Sequence, residues 1–80
     1  MEEQGSYQEY HARMIKIAAD VSGRIVGMGI AEARLEAENA GIVLRITNRD
    51  GSPLIITRDM RPDRVNVRLD NNIVTTVDIG

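Results

Sequence analysis

The chain has 80 residues, a formal charge of -2 at pH 7, no cysteine, and two tyrosines as its only aromatic residues besides a single histidine. A length of this order suits one module with one small core, which here has to be assembled from Ile, Val, Leu, Met and Ala. The charge gives no bulk attraction to nucleic acid or an anionic membrane, and the missing cysteines exclude disulfides and thiolate metal sites.

No stretch approaches the ~20 apolar residues that span a bilayer. Met1-Glu2-Glu3 is not the basic start of a signal peptide, so the expectation is a cytoplasmic protein, or a secreted one whose signal has been removed. Ser6 and Glu9 have capping-box spacing, and Tyr7, Tyr10, Met14, Ile17 and Val21 recur at steps of three and four. This predicts a helix over residues 7–20, closed by Ser22-Gly23. Its stripe is suited either to its own domain or to a partner helix in a homodimer.

A second helix is expected over residues 30–39, where Ile30, Ala33 and Ala37 share a face, with Gly41 at its end. From Ile42 the period changes to two, which predicts strands over residues 42–47, 65–69 and 73–79. Asp70-Asn71-Asn72 is the tight turn between the last two. Between the strands, Asp50-Gly51-Ser52-Pro53 and Arg61-Pro62-Asp63 bracket an apolar, extended run from Leu54 to Met60. Local pattern alone makes residues 54–57 a hairpin partner of residues 42–47. The alternative is an exposed loop held extended for something else to bind.

Several sharper readings fail on chemistry. Arg58, Arg61, Arg64 and Arg68 would form a basic stripe on a helix, but Pro62 interrupts it, and Asp59, Asp63 and Asp70 offset its charge. His11 is the only histidine, so a His-rich metal site is impossible. Ser6, Ser22 and Ser52 sit at caps and turns, where hydroxyls serve the backbone. Asp70-Asn71-Asn72 lacks the Gly and distal Glu of a calcium loop. Nothing combines acid, base and nucleophile, so the expectation is a binding protein that is not an enzyme and uses neither cofactor nor metal.

The segment Gly51-Ser52-Pro53-Leu54-Ile55-Ile56-Thr57-Arg58-Asp59-Met60-Arg61-Pro62-Asp63-Arg64-Val65 resembles the binding loop of the potato inhibitor I family of serine protease inhibitors, in the variant found in bacterial members. Val26-Gly27-Met28-Gly29-Ile30-Ala31-Glu32-Ala33 resembles the opening of that family's helix, and Gly80 matches the glycine on which its members stop. The resemblance covers residues 25–80 and leaves 1–24 as an N-terminal extension. It implies an α+β fold, with a helix on a small mixed parallel and antiparallel sheet, a long extended binding loop and an extra N-terminal helix. Residues 42–47 would run parallel to 64–69.

It further implies a trypsin-like serine protease as partner. Ile56, Thr57, Arg58, Asp59 and Met60 would form the protease-binding loop, Arg58-Asp59 the scissile bond, and Arg61, Arg64, Asn66 and Gly80 the loop support. Two positions depart from the pattern: Asn66 stands where many members carry a second bracing Arg, and Asp78 where they carry a basic residue. Arg64 is then expected to hydrogen-bond Thr57 on one side of the bond and Asp59 on the other. The competing expectation is a non-inhibitory interaction or oligomerisation module on the same fold.

Overall fold

A computed structural model describes residues 2–80, with side chains from Tyr7 onward. The first helix, α1 (Glu2–Ile25), is anchored by Ala18, Val21 and Ile25, which follow one another at steps of three and four and are fully buried. It is longer at both ends than the capping signals predict. Ser6 lies within it, and Gly23 does not close it. The Ser22 hydroxyl donates to the Ala18 carbonyl 2.8 Å away, which satisfies it inside the helix, while burial of Ile25 rewards one more turn. The chain reverses instead at Gly27, whose φ of 91° favours glycine.

The second helix, α2 (Ile30–Asn39), has the predicted bounds. Ala33 and Ala37 are fully buried, and their small side chains let the helix lie close to the sheet. Its C-terminus closes as a Schellman motif: Gly41 N–H donates to the Glu38 carbonyl at 3.0 Å and Ile42 N–H to the Ala37 carbonyl at 2.8 Å, with Gly41 at φ 74°.

Four strands follow: β1 (Val43–Arg49), β2 (Ser52–Pro53), β3 (Arg64–Asp70) and β4 (Ile73–Ile79). They form one mixed sheet in the order β2-β1-β3-β4, with β1 and β3 parallel and the other pairs antiparallel. Both tight turns have positive φ at their two central residues, Asp50 and Gly51 in one and Asn71 and Asn72 in the other, as two-residue hairpins of the twisted kind require. Of the two readings of residues 54–57, the hairpin strand is not formed: the paired residues are Ser52 and Pro53. β2 pairs for two residues, Leu54 N–H donates to the Thr47 carbonyl at 3.0 Å, and the chain then leaves the sheet.

Val65, Val67, Leu69, Leu44 and Val74 face the helices and complete a single core with Ala18, Val21, Ile25, Ala33, Ala37 and Ile42. The C-terminal half of α1 thus belongs to the same core as residues 25–80. Residues 7–13 do not: all are exposed, Tyr7 and Tyr10 among them, and the ring of His11 lies 6.5 Å from that of Tyr7.

Candidate functional site

Parallel β1 and β3 must be joined by a crossover, and here the crossover is residues 54–63, not a helix. Every residue from Leu54 to Arg61 is exposed, Ile55 completely so. The segment forms no regular structure, yet it is tethered at both ends. Leu54 is bonded to Thr47, and Arg61 N–H donates to the Gly80 carbonyl at 3.1 Å, while the Asp63 carbonyl accepts from Val43 N–H at 2.8 Å.

Two arginines grip the middle of this segment, one from each parallel strand. Arg64 opens β3, where alternation points it away from the helices, and it is buried under the segment. Its Nη2 donates to the Asp59 carbonyl at 2.7 Å and to the Gly80 carbonyl at 2.6 Å, and its Nη1 to Asp59 Oδ2 at 3.3 Å. The geometry that serves these acceptors leaves Arg64 Nε buried without a partner. Arg64 makes no bond to Thr57, contrary to expectation.

That contact belongs to Arg45, on β1. Its Nη1 donates to the Thr57 carbonyl and to Thr57 Oγ1, both at 3.1 Å, and lies 3.7 Å from Asp59 Oδ1. Arg45 and Asn66 are register partners across the parallel pair, and Arg45 Nε donates to Asn66 Oδ1 at 2.8 Å. Asn66 itself makes no hydrogen bond to the segment; it aims the arginine that does. The register explains why Arg45 reaches the site while the residue at 66 can be shorter. Sequence reasoning missed Arg45 because its relevance depends on pairing with a residue 21 positions away.

The Thr57 hydroxyl also donates to Asp59 Oδ1, so the residues before and after Arg58 are linked to each other as well as to the sheet. The hydrogen bond from Thr57, then that from Arg64, holds the Asp59 carboxyl below its ordinary range. Arg61 forms a two-pronged pair with Asp63, at 2.9 and 2.8 Å, which stiffens the descent into β3; its side chain makes no hydrogen bond to residues 57–59. Gly80 receives Arg64 and Arg61 N–H on its carbonyl, and its own N–H donates to the Arg64 carbonyl at 3.0 Å. A Cβ placed on Gly80 would touch the Met60 methyl and the Asn66 amide.

Arg58 stands between the two gripped residues, exposed and, among the described residues, without an ion-pair partner. Ile56 and Met60 flank it, Met60 at 82 % exposure. Among the described residues no cluster of His, Cys, Asp or Glu could hold a metal ion, and no helix is long and apolar enough to cross a membrane. The chain matches no protein-family model, no curated protein and no solved structure.

Proposed function

We propose that the protein inhibits trypsin-like serine proteases by offering residues 56–60 as an extended, substrate-like segment with Arg58-Asp59 at the cleavage position. One observation carries this reading: Arg58 is free and exposed while Thr57 and Asp59 on either side are tied by Arg45 and Arg64 to two hydrogen-bonded strands. A protease cleft binds extended peptide, and a segment already tied down at Thr57 and Asp59 has less conformational entropy to lose on docking. Arg58 supplies the long cation that a trypsin-like pocket answers with a carboxylate.

The same ties favour inhibition over digestion. If the protease serine attacks the Arg58 carbonyl, Arg58 becomes an acyl group on the enzyme, and the amine of Asp59 is the leaving group. Because Arg64 still holds Asp59, that amine stays beside the acyl carbon and can attack it, reforming the peptide bond and releasing the serine. Water must compete with a tethered nucleophile.

A non-inhibitory interaction module on the same fold is the second reading, and the exposed Tyr7 and Tyr10 favour it. Exchange of Arg58 separates the two. In the inhibitor, Arg58→Leu abolishes trypsin inhibition, shifts it towards proteases with an apolar pocket, and leaves the melting temperature unchanged. Trypsin inhibition that survives this change refutes the assignment of Arg58.

A further inference from the structure

Tyr7, His11 and Ile15 lie at successive steps of four on α1 and form an exposed ridge, with Tyr7 at 70 % exposure and Ile15 at 37 %. The ridge runs into an open, mostly apolar cleft walled by His11, Ile15, Met60, Arg61, Pro62 and Ile79. Its volume of about 180 Å³ is several times the ~30 Å³ share of one water, so it admits a side chain. Met60 and Ile79 also line the hollow beneath Thr57 and Asp59, so cleft and gripped segment share one continuous surface.

From this continuity we propose that α1 gives the bound protease a second contact surface, on the leaving-group side of Arg58-Asp59; the inference rests on the inhibitor reading above. Residues 56–60 are five, whereas a stable interface uses about 20–30 residues a side, so a protease seated on them must meet neighbouring surface. The surface adjoining Met60 on that side is the cleft and its ridge. An apolar side chain from the rim of the protease's active-site groove fills the cleft, and Tyr7 packs outside it as an aromatic anchor.

The test uses the full chain, trypsin, and the variants Tyr7→Ala and Ile15→Ser, with inhibition constants, melting temperatures and sedimentation measured for each. The expected result is a rise in the inhibition constant of about tenfold per variant, with the melting temperature and the cut position at Arg58-Asp59 unchanged. Unchanged inhibition constants overturn this inference alone and leave the inhibitor reading standing. A dimeric parent that Tyr7→Ala converts to a monomer with undiminished inhibition also overturns it, since the ridge then belongs to a second copy. Failure of the unmodified protein to inhibit trypsin removes both readings together.

Discussion

Arg45 and Arg64 do related work under different conditions. Arg64 is 6 % exposed and spends its donors on Asp59 and on the Gly80 carbonyl, so it joins the exposed segment to the end of the sheet. Arg45 is more accessible and is aimed by a single amide, that of Asn66. Arg64→Ala should therefore lower global stability by about 1.5–3 kcal/mol, the range for hydrogen bonds to a charged group, and also free Asp59. Arg45→Ala should free Thr57 with little change in global stability. Denaturant melts read the first difference. Timed digestion with trypsin reads the second: both variants should be cut at Arg58-Asp59 faster than the parent, and cleavage of Arg45→Ala at the parental rate would remove Arg45 from the grip.

Asp59 adds a pH dependence whose sign is fixed. Its carboxyl titrates below the ordinary aspartate value of 3.8 because the charged form accepts from Thr57 and Arg64. A carboxyl depressed on folding contributes order that is complete above its unfolded pKa and is lost as pH falls through the folded one. The segment should accordingly stay gripped at neutral pH and loosen only below about pH 4. An NMR titration of the Asp59 carboxyl together with the Thr57 and Arg58 amides checks this, and a midpoint above the ordinary value would contradict the hydrogen bonds assigned to it. Asp59→Asn should abolish the transition.

At the scale of elements, α1 divides into two parts with different duties. Ala18, Val21 and Ile25 are fully buried, whereas Tyr7 and Tyr10 are not. Ile25→Ala should cost about 2–5 kcal/mol, a large share of the ~4–12 kcal/mol expected for a chain of this length. Tyr10→Ala should cost no more than about 0.5 kcal/mol, as for an exposed position away from special features. Equal losses for the two variants in urea melts would mean that the N-terminal half is packed after all. The elements also differ in how far local signals reach them. α2, β3 and β4 follow from period and punctuation, since Gly41 and Asn71-Asn72 stop the chain where the pattern stops. The end of α1 does not, because Gly23 is tolerated in a helix interior at a cost of about 1 kcal/mol relative to Ala once Ile25 can be buried beyond it.

Across the whole molecule, the site depends on pairings that no local window contains. The parallel register sets Arg45 beside Asn66, and the crossover spans both strand starts before Arg61 and Asp63 lead it down into β3. Thr57, Asp59 and Arg64 are nominated by the resemblance of one contiguous segment, within which they lie eight positions or fewer apart, whereas the role of Arg45, outside that segment, is not. α1, ~36 Å long, passes beside the foot of the gripped segment, where His11 and Ile15 wall a cleft with Met60, Arg61 and Pro62.

As an inhibitor, the protein is a substrate that resists being consumed, because its free Arg58 sits on a doubly tied segment. Trypsin titrated with the purified protein, with residual activity and intact mass followed in the same mixture, puts this proposal to the test. Stoichiometric loss of activity is expected, with the chain either intact or in slow equilibrium with a form cut only at Arg58-Asp59. Full trypsin activity with the chain intact, or rapid cleavage at Arg58-Asp59 without loss of activity, would contradict it.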